Sequence, residues 1–456
     1  MIRQIGKISR LFGATLLLVL MVFAPITVTA QADSPLTSDL DPAPVVQWVE
    51  LLRQRIWAEG TNPALSARIY GYVGVTIYES LIPGMPEFRS LVYQANGLPD
   101  LPYWDEDELY DWLSTTNAAL HTVITGLMFE ASAETREAFD ALREAQAEAR
   151  RAEVGDEIVA RSLVYGEELG AGLLDWIAND NYKSARQAAS EYVLPTAEEW
   201  GLVEADDYVY VQTNPDMPLV EPGFGTVRTI GLENRYECIV DNNLYFSTDP
   251  ESAYYQQAME VFETSNNLTA DQREMAEFWI DTPGDSSTPA GHWMSIANQL
   301  VEQLDLTLDR AAMMYGMLGM VLHDSFVVGF GIKYETLTMR PQTYINRFIS
   351  RRWQSYLATP QFPEYPSNHS IVSAAAADML TSLFDIVPFT DMTAAESLGL
   401  VRSFLSFEHA ADEAAMSRLY GGIHYRTAIE NGKRIGRCIA EKTLERIVML
   451  PIAQGE

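Results

Sequence analysis

Positive charge is what this chain has least of. Against 63 Asp and Glu residues it sets 31 Lys and Arg, for a formal net charge of -32. Arg3, Lys7 and Arg10 fall within residues 1–32, where there is no acid, so the rest of the chain is more acidic still. Such a surface repels nucleic acid and anionic lipid, which are bound through clustered cations. Histidine is scarce, with six residues, and cysteine scarcer, with two. Cys238 and Cys438 are too few and too far apart for a zinc or dithiol redox motif. They suffice for one disulfide, and the sequence leaves open whether they come within bridging distance. Internal repeats and low-complexity tracts are absent. Beyond the N-terminal segment no long apolar stretch is free of charge, so no stable membrane insertion is expected.

The N-terminal segment is read as an export signal. A basic start leads into the apolar run Leu16–Phe23 and then the A-x-A site Ala30-Gln31-Ala32. The remainder is expected to be exported, periplasmic or secreted. Its pattern is mostly helical. Apolar residues at three- and four-residue spacing run through 43–59, 63–82, 105–130 and 132–179, and again through 252–266, 288–304, 307–333, 369–385, 393–418 and 424–448. Thr269 with Gln272 reads as a capping box opening a further helix. The Pro-, Gly-, Asn- and Asp-rich segment 187–250 holds only short β-prone pieces such as Tyr208–Gln212. The expected fold is therefore all-α, a pair of helical bundles over 33–186 and 251–456 with 187–250 as a long irregular insertion.

Three short stretches place scarce residue types together: Lys333 with Arg340-Pro341, then Pro366-Ser367-Asn368-His369, then Ser417-Arg418 with His424. Three cations, a hydroxyl and two imidazoles suit a multiply charged oxyanion, which needs Arg forks and a Lys point charge before it leaves water. If the 307–333 helix runs on, Lys333 and Arg340, seven apart, project from nearly one face, and Pro341 ends it. Ser367 precedes an Ala-rich helix whose free N–H groups can hold an anion. Its hydroxyl either caps that helix or bonds the anion. His369, in the first turn, is placed for proton transfer. Gly421-Gly422 break the chain so that Arg418 and His424 can point into one pocket.

These stretches resemble the signature of the type-2 phosphatidic acid phosphatase superfamily, K-x6-R-P, P-S-G-H and S-R-x5-H, which includes vanadium-dependent haloperoxidases and bacterial acid phosphatases. Asn62 to Tyr70, Gly291-His292-Trp293 and His323-Asp324 are similar to segments of its bacterial haloperoxidase-related branch. The resemblance implies that Lys333, Arg340 and Arg418 hold the equatorial oxygens of a vanadate, or of a phosphate in the same site, with Ser367 and the Asn368 backbone N–H adding hydrogen bonds. His424 is implied as the ligand to vanadium and His369 as the acid–base group. Hydrogen peroxide and halide would be the substrates, with hypohalous acid the product. An acid phosphatase acting on a phosphate ester through a phosphohistidine at His424 is the alternative, as is a phosphate- or vanadate-binding protein without turnover. Phe362 and His292 are candidate halide-pocket residues, and His292 and His323 are equally readable as satisfied core residues. His409 and Glu413 form an i,i+4 pair without a third metal ligand.

Two positions depart from the family pattern. Asn368 stands where the motif has Gly, and its tolerance of left-handed angles keeps the N–H contact feasible while its side chain takes space. Ala428 stands where an Asp commonly orients the final His, which leaves the fixing of His424 to some other acceptor. Oligomeric state, halide preference and organic substrate are not legible.

Overall fold

Short polar side chains decide where most helices begin. The Asn62 side chain accepts from Leu65 N–H and Ser132 from Thr135 N–H; Thr288 takes Gly291 N–H and Ser406 takes His409 N–H. Thr269 and Gln272 close the expected capping box. Pro63, Pro289 and Pro341 occupy first-turn positions, where a missing N–H costs nothing.

The computed structural model describes residues 34–194, 218–284 and 286–450. The export-signal segment and the Tyr208–Gln212 piece lie outside the described residues. The helices are α1 (Ala43–Ala58), α2 (Pro63–Leu81), α3 (Trp112–Leu127), α4 (Ala133–Val154), α5 (Asp156–Ile177), α6 (Tyr182–Ser190), α7 (Ala253–Asn266), α8 (Ala270–Phe278), α9 (Pro289–Gln303), α10 (Leu308–Thr336), α11 (Pro341–Phe348), α12 (Asn368–Phe384), α13 (Ala395–Leu398), α14 (Phe407–Tyr420) and α15 (Arg426–Arg446). One hairpin, β1 (Phe389–Asp391) with β2 (Arg402–Phe404), is antiparallel, pairing Phe389 with Phe404. The class is all-α, as expected.

Several boundaries differ from the sequence reading. The 132–179 pattern is two helices, parted at Gly155. The 393–418 pattern becomes α13, β2 and α14, because Gly399 adopts a left-handed φ of 69° and turns the chain out of α13. Helix α10 ends at Thr336 with Leu337 left-handed, and Pro341 starts a new helix rather than ending the old one.

Helix α10 is the axle of the core. It packs against α2, α9, α12 and α15, and its residues from Ala311 to Lys333 are buried. The stretch Leu308–Phe348 is long and apolar enough to cross a membrane, but its apolar window is wholly buried in the fold, as in a core helix. Each fully buried Leu or Phe here contributes roughly 1.5–3 kcal/mol. One carboxylate of this helix is buried. Asp324 accepts the backbone N–H groups of Ile230, Gly231 and Leu232 at 2.7, 2.9 and 2.8 Å, which pins the non-helical chain after α6 onto the core. Cys238 and Cys438 are disulfide-bonded, tying that same segment to α15.

Candidate active site

Lys333, near the C-terminal end of α10, is fully buried. Its ammonium donates to the carbonyls of Pro363 (3.1 Å), Glu364 (2.9 Å) and Pro366. Arg340, before α11, reaches the same loop, with Nε donating to the Phe362 carbonyl at 2.9 Å and Nη1 to the Ile423 carbonyl at 2.9 Å. The two cations therefore converge because the 362–366 loop gathers them, not because one helix carries both. The Phe362 ring caps the pair, with its centroid 5.1 Å from Lys333 Nζ and 5.0 Å from Arg340 Cζ. Arg418, from α14, donates Nε to Ser417 Oγ at 2.9 Å and Nη2 to the Trp279 carbonyl. Gly422 (φ 76°) then reverses the chain so that His424 returns to the cluster. His424 lies two residues before α15, which opens at Arg426 rather than at His424.

The bonds of Lys333 go to neutral carbonyls and those of Arg418 to a carbonyl and a hydroxyl, so their charge is not consumed. Burial and the Arg340 charge hold the Lys333 ammonium well below the usual lysine value. Burial likewise pulls the Arg418 guanidinium down to about 10. Cations packed this closely destabilise one another, and a multiply charged oxyanion is the ligand class that relieves them. Among the described residues no group of three or more His, Cys, Asp and Glu could hold a metal cation. His409 is exposed, and Glu413 is engaged by Arg402 and by Trp279 Nε1, so that pair forms no site.

His424 is fixed after all, by a residue the sequence reading missed. Glu364 Oε1 accepts from His424 Nδ1 and from Tyr425 N–H, both at 2.9 Å. With Nδ1 donating, Nε2 carries the lone pair, 3.1 Å from Arg340 Nη1. Burial, then Arg340, Lys333 and Arg418, hold His424 far below the ordinary imidazole value, so it is neutral and able to ligate. The absent Asp at Ala428 is thus replaced from across the site. Ala428 itself contributes its carbonyl, which accepts Ser367 N–H at 3.1 Å and ties the loop to α15.

Ser367 caps α12, accepting from Ser370 N–H at 3.4 Å and Ser370 Oγ at 2.9 Å. Asn368 is the first residue of α12 and is not among the residues with positive φ, so no left-handed tolerance is needed. Its amide lies against Gly329 of α10, where an added Cβ would come within 2.5 Å of Oδ1. Both amide atoms lack a hydrogen-bond partner among the described residues. A buried amide left unsatisfied fits a site that expects a polar ligand.

His369 turns Nε2 toward Asp281 Oδ2 at 3.3 Å, within ion-pair distance but off the line of a good hydrogen bond. Burial and the Arg418 charge lower His369 to about 4, with Asp281 acting in the opposite direction. His292 does not line this cluster. It stands behind Asp281, with Nδ1 2.8 Å from Asp281 Oδ1 and Nε2 2.8 Å from Asp391 Oδ2, and it is 1% exposed. The satisfied-core alternative holds for His292 rather than the halide-pocket one, because neither nitrogen is left over. His323 is also core, with Nε2 donating to the Arg228 carbonyl at 2.9 Å. Glu364 was findable as the lone carboxylate in 359–370. Asp281 and Asp391 carried no such signal.

Comparisons with known proteins bear on the fold that carries this cluster. A family model described as the VCPO second helical-bundle domain matches residues 313–450. A bacterial vanadium-dependent iodoperoxidase structure shares 29% identity at a TM-score of 0.82, covering 91% of this chain and 98% of that one. A holo-type bacterial vanadium-dependent chloroperoxidase shares the fold at TM-score 0.64 and 14% identity, over 92% of this chain and 99% of that one. An apo-type one does so at 0.60 and 14%, over 84% and 94%. Among curated proteins none matches by sequence. The family-model match over 313–450 and the 29%-identical structure support a vanadium haloperoxidase-related family for this chain.

Proposed function

We propose that the protein is an exported vanadium-dependent haloperoxidase that uses hydrogen peroxide to oxidise halide to hypohalous acid. The observation that carries this reading is the buried convergence of Lys333, Arg340 and Arg418 on a neutral His424 whose Nδ1 is held by Glu364. Lys333, Arg340 and Arg418 would hold the oxygens of a vanadate, with Ser367 Oγ and the Asn368 N–H beside them and His424 Nε2 as the ligand to vanadium. When bound, the vanadate supplies Lewis acidity toward peroxide.

The protein's own part is charge, orientation and proton traffic. The three cations neutralise the bound anion without any rearrangement at the moment of reaction. His369, neutral and with Nε2 facing Asp281, has Nδ1 left to take a proton from an incoming peroxide and return it to the departing oxygen. Phe362, covering two of the cations, would shield the site from water. The basic start, apolar run and A-x-A site of residues 1–32 support export, and N-terminal sequencing of protein recovered outside the cytoplasm should begin near residue 31 or 33.

The test is halide oxidation by phosphate-stripped protein with and without orthovanadate, beginning with iodide because the 29%-identical relative is an iodoperoxidase. Hydrolysis of an aryl phosphate is followed in parallel. Vanadate-dependent oxidation that disappears in His424→Ala is the expected result. Phosphate release that vanadate inhibits, with no halide oxidation, would make the protein a phosphatase and overturn the proposal.

A further inference from the structure

Behind His369 runs a buried line of four titratable groups: His369, Asp281, His292 and Asp391. The His292 imidazole lies between two carboxylates, 2.8 Å from each, and stacks on the Trp279 indole at 4.2 Å between centroids. Neutral imidazole offers one N–H and one lone pair. Two ionised carboxylates need two donors, so this geometry asks for the imidazolium. The outer carboxylate is itself anchored, since Asp391 Oδ1 accepts Thr393 N–H at 2.9 Å. His292 then offsets one of the two carboxylate charges. Glu413, which accepts from Trp279 Nε1 at 3.1 Å, is engaged separately by Arg402.

Asp281 shows a second sign of constraint. It adopts a left-handed φ of 44°, a conformation that persists in a non-Gly residue only when its surroundings enforce it. Arg418 donates to the carbonyl of Trp279, two residues earlier, so the Asp281 carboxylate and this guanidinium share one bend of chain. Without a cation on its Oδ1 side, Asp281 would be drawn toward Arg418, the cation needed for the oxyanion.

We propose that His292 is a positioning residue, an imidazolium clamped between Asp281 and Asp391 that holds Asp281 turned toward His369 and away from Arg418. This deepens the haloperoxidase reading and rests on it for its catalytic meaning, though not for its structural content. His292 keeps the partner of His369 charged and aimed, while β1 supplies the counter-charge from the far side. Burial opposes the charge, but the two carboxylates raise His292 to about 10.

The first experiment needs no cofactor and no activity. Protein labelled with 15N-histidine is examined by NMR at pH 8.5, vanadate-free. One imidazole protonated on both nitrogens is expected at that pH, and its signals should vanish in His292→Gln. Absence of any such imidazole, or its persistence in the variant, overturns the proposal. The second compares Asp391→Asn with the parent protein, because this change weakens the clamp and leaves His292 in place. Halide oxidation should fall tenfold or more in kcat with a displaced pH profile, while vanadate affinity stays within about threefold. An unchanged kcat and pH profile, in a variant whose NMR shows the imidazolium lost, would refute the positioning role. A parent protein that binds vanadate but oxidises no halide would instead sink the haloperoxidase reading and leave the NMR result standing.

Discussion

Replacing Glu364 separates its hydrogen bonding from its charge. In Glu364→Ala, two buried donors, His424 Nδ1–H and Tyr425 N–H, lose their shared acceptor at once. Each orphaned donor costs about 1–3 kcal/mol, so the folded state should lose about 2–6 kcal/mol, read as a lower melting temperature. The His424 ring would also be free to turn or change tautomer. Removing the group that orients a metal-ligating His typically lowers affinity about 10- to 100-fold. Glu364→Gln retains an oxygen that can accept both N–H groups while removing a carboxyl beside Lys333 and Arg340 that burial raises to about 7 and the two cations pull back down. Its affinity for vanadate, an anion, should therefore equal or exceed that of the parent. Vanadate titration by 51V NMR on phosphate-free protein, with a thermal melt of each variant, reads both quantities. Glu364→Ala binding within twofold of the parent would refute the claim that this carboxylate fixes His424. Glu364→Gln falling as far as Glu364→Ala would show that charge, not the acceptor, is what matters.

Gly329→Ala drives a Cβ to within 2.5 Å of Asn368 Oδ1 and should push that amide into the anion's space, lowering vanadate affinity. Asn368→Gly should restore it, and a double-mutant cycle showing no coupling would reject that contact. The Cys238–Cys438 bridge closes a sequence separation of 200, worth about 5 kcal/mol in the chain-entropy limit. Cys238→Ser with Cys438→Ser should accordingly melt well below the parent yet keep the site's affinity, and an unchanged melt would refute this. Burial lowers His323 to about 4, below the ordinary imidazole value of 6.5. Between those values the unfolded chain binds the proton and the folded one does not, so stability present above pH 6.5 is lost as pH falls toward 4. The loss from this residue is on the order of 3 kcal/mol. Urea unfolding at pH 7.5 and 4.5 should show a smaller pH difference in His323→Asn, and an equal difference would refute the assignment.

What could be read in advance follows from rarity and locality. Helix starts were legible because a cap is a local event, such as Thr269 bonding the N–H three residues on. Breaks at Gly155 and Gly399 were missed because apolar periodicity runs straight across them, and only the backbone angle marks the turn. Lys333, Arg340, Arg418, His369 and His424 stood out since cations and imidazoles are few in this chain. The structure brings all five to one buried place.

The carboxylates were the reverse case. Among 63 Asp and Glu residues, Asp281 and Asp391 carry no mark in composition, and Glu364 stands out only as the lone carboxylate of 359–370. They acquire their roles only through tertiary placement, from a loop, a left-handed corner and an edge strand outside the helices that carry the chain's regular pattern. An acidic chain can relocate such a partner without changing the signature of its site. The absent Asp at position 428 and the carboxylate at Glu364 together illustrate this: the imidazole needs an acceptor on Nδ1, and the chain position that supplies it is free to move. A motif match therefore assigns the cations and imidazoles of this site well and its second layer poorly, and that second layer decides which protonation state each imidazole keeps.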